Sequence, residues 1–266
     1  MDNTLAYIHP NAKIGKNVTI EPFSVIYDDV EIGDNCWIGP NVTIFSGARI
    51  GNNNKIFPNA SISAVPQDLK FSGEKTIVEI GDNNTIRESV TINRGTKASG
   101  KTKIGNNNLI MAYAHIAHDC IIGDNCVLAN GVTLAGHIEI GDFAIIGGLS
   151  AIHQFTKLGS HIILMGGSLV GKDVPPFIKG GKFPLTYSGI NSVGLSRRGF
   201  SQETINQIKE YYKIVFQSGL TYSKALETLK TLPQDTILKE IIDFIENSER
   251  GLIRGFSSTT IEEEED

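Results

Sequence analysis

Every sixth residue of the chain is Ile, Leu or Val over most of its length, in a single register. The ladder runs from Ile8 to Ile62 without a gap and resumes at Ile80, Ile86 and Ile92. It then continues from Ile104 through Ile122, Leu128, Leu134, Ile140, Ile146, Ile152, Leu158 and Leu164 to Val170. A helix needs a period of 3.6 and a half-buried strand a period of 2, so neither calls for a strict six. A hexad repeat predicts a parallel β-helix, in which each hexad is a short strand plus a corner and about three hexads close one triangular coil. Coils then stack about 4.8 Å apart around one aliphatic interior. Corner triplets such as Gly33-Asp34-Asn35, Gly51-Asn52-Asn53 and Gly81-Asp82-Asn83 fit this picture, because Gly and Asn tolerate left-handed backbone. The pattern does not contain the hand of the coil: the crossover rule favours right-handed turns, whereas strict hexad proteins are left-handed exceptions.

The ladder fails twice, at 63–79 and at 97–103. The first stretch carries Asp68 and Glu74 in ladder slots, so it predicts a loop projecting from the prism. After Val170 the segment KDVPPFIKGGKFP ends the repeat, and the remainder reads as helix. Ser201 is a fitting N-cap for a helix that buries Ile205, Ile208, Tyr212, Val215 and Phe216 and stops at Gly219. A second helix is expected over roughly 222–231, and a third from Asp235 with Ile237, Ile241, Phe244 and Ile245 inward. The organisation is therefore a β-helix over 1–185, a helical domain over 186–256 and an acidic, disordered tail over 257–266.

Composition narrows the function classes. A net charge of -5 argues against nucleic acid as partner, since phosphate binding needs a concentrated basic face. Cys36, Cys120 and Cys126 all fall at the fifth hexad position beside residues such as Ala12, Val42 and Ala60. They read as small core fillers rather than disulfide or zinc ligands, which suits a reducing, cytoplasmic setting. No apolar run reaches the length of a membrane span, and the opening MDNTLAYIHP has no signal-peptide pattern.

Chemistry enters through the register. Counting hexads in threes puts those starting at 8, 26, 44, 62, 80, 98, 116, 134, 152 and 170 on one face. That stacks His118, His137 and His153 on one wall in consecutive coils, with His115 at the corner beside them and Asp119 after His118. Such a group can ligate zinc through three protein ligands. Equally, one imidazole can act as a general base oriented by the carboxylate. The residues alone leave both open, along with a non-catalytic scaffold.

The motifs AHIAHDC, LAGH, AIHQF, PQDLKF, IRESVTINRG, DVPPF and SRRGF, in collinear order over about residues 6–256, resemble the UDP-N-acetylglucosamine O-acyltransferases that begin lipid A biosynthesis. The resemblance implies a left-handed parallel β-helix with a small α-helical C-terminal domain, assembled as a homotrimer with active sites between subunits. It implies transfer of a 3-hydroxyacyl chain from acyl carrier protein to the 3-hydroxyl of UDP-GlcNAc. The donor's phosphopantetheine arm is then substrate, and neither cofactor nor metal is required.

By matching positions, His118 resembles the general base, Asp119 the carboxylate that orients it, and Gly136 the main-chain oxyanion donor. Gln67, Asp68, Lys70, His115, His137, His153 and Gln154 resemble sugar and acyl contacts. Asn191, Arg197 and Arg198 resemble nucleotide-phosphate contacts, and Gly166 the position that limits acyl length, where a glycine leaves room for a long chain. Two positions depart from the family pattern: Asn93 stands where a His is usual, and Val193 where a Glu is usual, which removes a carboxylate from the nucleotide contacts. Lys157, Lys172, Lys179 and Lys182 are candidates for an acyl-carrier-protein patch.

Overall fold

The computed structural model describes residues 5–255; the acidic tail expected over 257–266 lies outside them. The hexads form a left-handed parallel β-helix with three walls. Wall A is the nine-stranded sheet running from Tyr7–Ile8 to Leu169–Val170. Wall B has eight strands, from Lys13–Ile14 to Lys157–Leu158. Wall C has ten, from Thr19–Ile20 through Ile163–Leu164 to Ile178–Gly181 and Thr186–Ile190. The last two pair antiparallel and carry wall C beyond the repeat.

Most strands are two residues long, one side chain pointing out and the ladder residue pointing in. Ile26, Ile38, Ile44, Ile56, Ile62, Ile86, Ile92, Ile110 and Ile116 are fully buried. The three cysteines are buried and unpaired in the same interior. Burial pushes the thiols of Cys120 and Cys126 up to about 12, so they stay protonated and inert.

The strand register corrects the count of hexads by threes. Strand partners are normally 18 residues apart, as in Ile32↔Ile50. Across the first break Ile50 pairs Ile80, a step of 30, and across the second Ile80 pairs Ile104, a step of 24. The loops therefore add twelve and six residues, and Ile80 belongs to wall B; it is Ile92 that pairs Ile62 on wall A. The two insertions sum to one full coil, so Ile116, Leu134 and Ile152 return to wall A as the simple count placed them.

Beyond the β-helix lie four helices: α1 (Ser192–Arg197), α2 (Gln202–Gln217), α3 (Tyr222–Lys230) and α4 (Thr236–Glu246). Ser201, Thr221 and Asp235 cap α2, α3 and α4 through their side-chain oxygens. Gly219, at φ +74°, follows α2 as expected. The short α1 has no hydrophobic period and is not legible in the pattern. Helix α4 buries Leu238, Ile241 and Ile242, so its inward face is turned from the expected one, with Ile237, Phe244 and Ile245 at its margins. Helix α2 closes the end of the prism. Tyr212 is fully buried and donates to the Pro176 carbonyl at 2.7 Å, and Phe216 stacks on Tyr187 at 4.4 Å.

Candidate active site

The corner between walls A and B turns on the third and fourth hexad positions, and stacking places equivalent positions in columns. The third-position column reads His118, Gly136, Gln154; the fourth reads Asp119, His137, Phe155. Asp119, His137 and Phe155 adopt left-handed backbone at φ 61°, 61° and 63°. In six coils of the B–C corner that slot holds Asn, the side chain that tolerates it best: Asn17, Asn35, Asn53, Asn83, Asn107 and Asn125. The A–B corner accepts costlier residues there, a pattern concentrated at functional sites.

His118 and Asp119 form the centre. His118 Nδ1 lies 2.8 Å from Asp119 Oδ2, and the Asp119 side chain has no exposed surface. The second break in the ladder supplies the rest of the carboxylate's environment. Thr96 donates its backbone N–H to Oδ1 at 2.9 Å and its hydroxyl to Oδ2 at 2.7 Å, and the Ser99 hydroxyl donates to Oδ1. The Asp119 N–H in turn donates to Thr102 Oγ1 at 2.9 Å. Burial acts to raise the Asp119 pKa, but hydrogen bonds from Ser99, His118 and Thr96 outweigh it and hold the group at about 2. An ionised Asp119 fixes the proton of neutral His118 on Nδ1, leaving the Nε2 lone pair free.

Ionisation of Asp119 is linked to the stability of the fold. The folded pKa lies below the unfolded value, so the stabilisation is complete above about pH 4 and is lost as pH falls towards 2. Denaturant titration of Asp119→Asn is expected to show a deficit on the order of 2 kcal/mol at pH 7 that closes in that acid window. A deficit independent of pH would show that the charge is not what stabilises.

Gly136 is the floor of this centre. A Cβ placed there would sit 2.6 Å from His118 Cε1 and 2.8 Å from Nε2, so only glycine leaves room for the imidazole of the preceding coil. His137 packs edge-on to His118 with centroids 5.1 Å apart, stacks on Phe155 at 4.5 Å, and places Nε2 3.7 Å from Asp119 Oδ2. Burial lowers its pKa, against the raising influence of the Asp119 and Asp68 charges. Burial and the neighbouring His118 lower the pKa of His115.

His115 is not at the corner but on wall A, in the strand His115–Ile116, with Nδ1 2.7 Å from Thr91 Oγ1. His118, His137 and His153 conversely occupy the corner that follows the wall. His153 is exposed, its ring nitrogen 3.1 Å from the Gln154 carbonyl, and Gln154 is exposed beside it. Gln67 and Lys70 are exposed on the 65–76 loop, where Asp68 Oδ1 accepts the Lys70 N–H at 3.0 Å.

The remaining candidates sit on other corners. Asn191 is buried and caps α1, accepting from the Gly194 N–H at 3.2 Å and donating Nδ2 to the His161 carbonyl at 2.9 Å. Its amide is thus engaged in holding the helix that carries the arginine pair. Arg198 lies over Phe143, 5.2 Å from the centroid, and donates Nη2 to that residue's carbonyl at 3.2 Å, while Arg197 is exposed. Phe143 and His161 belong to the B–C corner. His161, which the pattern did not single out, stacks between Phe143 and Phe177, and burial with Arg198 nearby pushes its pKa down to about 4. Gly166 is on the C–A corner. Lys157 and Lys172 donate to the carbonyls of Asn247 and Arg250 and fasten the C-terminal segment, whereas Lys179 is exposed.

One ligand atom each from His118, Asp119 and His137 lie within 4.8 Å of one another, a spacing a metal ion could bridge. Both Asp119 oxygens, however, already accept from Thr96, Ser99 and His118. That donor shell holds an ionised carboxylate against the imidazole of His118. A shielded His–Asp pair above a glycine floor, on the corner of a hexad β-helix, defines a hexapeptide-repeat acyltransferase.

Comparison with known proteins carries this further. Residues 173–253 match the model of the second domain of UDP-N-acetylglucosamine O-acyltransferase, and 11–46 and 101–136 match the bacterial transferase hexapeptide. The acyl-[acyl-carrier-protein]–UDP-N-acetylglucosamine O-acyltransferase of Thiobacillus denitrificans is 43% identical over 94% of this chain and 97% of its own. The crystal structure of the Bacteroides fragilis UDP-N-acetylglucosamine acyltransferase aligns with TM-score 0.94 at 53% identity, covering 96% of this chain and 100% of that one. The Francisella novicida enzyme aligns with TM-score 0.94 at 44% identity, covering 97% and 95%. The chain belongs to the acyl-[acyl-carrier-protein]–UDP-N-acetylglucosamine O-acyltransferase family.

Proposed function

We propose that the protein transfers a 3-hydroxyacyl chain from acyl carrier protein to the 3-hydroxyl of UDP-GlcNAc, the first step of lipid A synthesis, with His118 as general base. The observation that carries this is the His118 Nδ1–Asp119 Oδ2 contact of 2.8 Å, which leaves Nε2 unprotonated beside the Gly136 main chain. Nε2 takes the 3-hydroxyl proton as the sugar oxygen attacks the thioester carbonyl. The Gly136 N–H, which donates to no acceptor among the described residues, stabilises the resulting oxyanion. The tetrahedral species then expels the phosphopantetheine thiolate, which takes the proton back from Nε2. Asp68, with Gln67 and Lys70 on its loop, binds sugar hydroxyls, and Arg197 and Arg198 bind the diphosphate.

Together with Gly166, these groups lie on three different corners of one prism. Six residues at about 3.3 Å each separate adjacent corners by on the order of 15–20 Å, too far for one small substrate to span along a wall. This spacing supports a site assembled between copies, and hence the homotrimer. The walls support it too. Wall B presents ion pairs to solvent, among them Lys13–Glu31, Arg49–Asp29 and Lys101–Glu79, whereas wall C turns Leu109, Val127, Ile145 and Ile163 outward.

Among the described residues no helix is long and apolar enough to cross a membrane. Three unpaired cysteines fit a reducing cytoplasm. Incubation with UDP-GlcNAc and a panel of 3-hydroxyacyl carrier proteins is expected to give an O-acylated nucleotide sugar by mass spectrometry, with long chains favoured by Gly166. Native mass spectrometry is expected to show a trimer. No acylated product from any donor, or stoichiometric zinc in the purified protein, would refute the mechanism; a monomer would refute the shared site.

A further inference from the structure

The two breaks in the ladder are joined to each other. Segment 93–99 fastens the 65–76 loop at three points. Asn93 Nδ2 donates to the Val65 carbonyl at 3.0 Å. The Arg94 guanidinium lies 5.6 Å from the Phe71 centroid, and its Nη1 donates to the Ser46 carbonyl at 3.1 Å. The Lys97 backbone N–H donates to Glu74 Oε1 at 3.1 Å. The other Glu74 oxygen accepts from the Ser72 N–H at 2.9 Å and the Ser72 hydroxyl at 3.2 Å.

Glu74 therefore bridges its own loop to the strap, and does so mainly through main-chain donors. Bonds from its own N–H and that of Ser72 hold its carboxyl at about 2, so it is ionised throughout the neutral range. The same strap carries Thr96 and Ser99, which hold Asp119. Three residues lie between Asn93 and Lys97, and the donors to Asp119 are interleaved with the fastenings of the loop. One segment thus holds both the loop and the carboxylate, the latter through bonds of its own. Glu74 occupies a ladder slot, yet a carboxylate there serves no core, and its half-exposed side chain adds no apolar packing.

We propose that Glu74 is a positioning residue for acyl transfer: it clamps the Asp68 loop to the strap that anchors Asp119, so that acceptor and base keep one fixed spacing. This rests on the reading of Asp68 as a sugar ligand and of His118 as the base. Glu74→Ala should raise KM for UDP-GlcNAc roughly tenfold while kcat changes by less than about threefold, because the loop drifts while the base keeps its own hydrogen bonds. Glu74→Gln, which keeps an oxygen for the Lys97 N–H, should recover most of the affinity.

The discriminating measurement is a double-mutant cycle. In an Asp68→Ala background the penalty of Glu74→Ala should fall below about twofold, since the group it positions is gone. An unchanged KM in Glu74→Ala, or the full penalty repeated beside Asp68→Ala, would overturn the clamp. If Asp68→Ala by itself leaves KM unchanged, the sugar-ligand reading fails instead, and amide exchange then decides. The clamp requires faster exchange over 65–76 and 94–100 in Glu74→Ala with 104–170 unaffected, and unaltered exchange in both loops overturns it.

Discussion

His118→Ala is expected to lower kcat by about 10²- to 10⁴-fold, with KM for the nucleotide sugar changed far less. The variant removes the one imidazole whose Nδ1 faces Asp119 at 2.8 Å, and with it the free Nε2 that accepts the acceptor's proton. Binding survives because the sugar and phosphate contacts proposed for Asp68, Arg197 and Arg198 lie elsewhere. The fold survives because the buried neighbours Ile116 and Cys120 carry the coil, and Asp119 keeps the donors Thr96 and Ser99. Steady-state kinetics with purified acyl carrier protein donors, alongside a melting curve, checks the point. A variant within about threefold of wild type would eliminate His118 as the base, and His115 or His137 would have to be tested in its place.

Gly136→Ala is expected to cost roughly a hundredfold in kcat/KM, an unusual penalty for one methyl group at a corner. The added carbon would stand 2.6 Å from His118 Cε1 and 2.8 Å from Nε2, so the ring must leave its place beside Asp119. Alanine keeps the backbone N–H proposed as oxyanion donor, and the residue is not among the left-handed glycines, so the loss reads the imidazole's displacement. Because the ring is what the methyl strikes, Gly136→Ala combined with His118→Ala should be no slower than His118→Ala alone. Additive losses would mean that the glycine acts on something other than the base.

The hexad ladder could be read from the sequence because each slot meets the same interior, so one residue class recurs at a fixed interval. The histidine columns could be read because their three coils lie beyond both breaks, where the 18-residue spacing is unbroken; that they continue the wall of Ile44 and Ile62 rests on the two insertions, twelve and six residues, completing one coil. An insertion of six or twelve residues in total would have set His118 on a different corner relative to the hexads before residue 63 while leaving the ladder intact. Within that register the sequence placed His115 on the wrong feature and missed Thr96 and Ser99. Hydroxyl residues in a loop carry no period, and their meaning lies in the carboxylate they face some twenty residues later. The signal available was that the second break lies about one coil before the AHIAHDC motif.

The nucleotide candidates show the same divide. Asn191 and the arginine pair were visible as motif residues, but that Asn191 caps α1 and reaches the His161 carbonyl depends on a helix too short to announce itself. By itself, then, the sequence determined the prism, its buried cysteines and the family of its motifs, since these follow from repetition and local chemistry. Tertiary structure alone decided which corner each group occupies, which donors hold Asp119 ionised, and that the candidates lie on three separate edges. Those depend on how far the loops advance the coil and on contacts between segments distant in the chain, where no local pattern constrains the outcome.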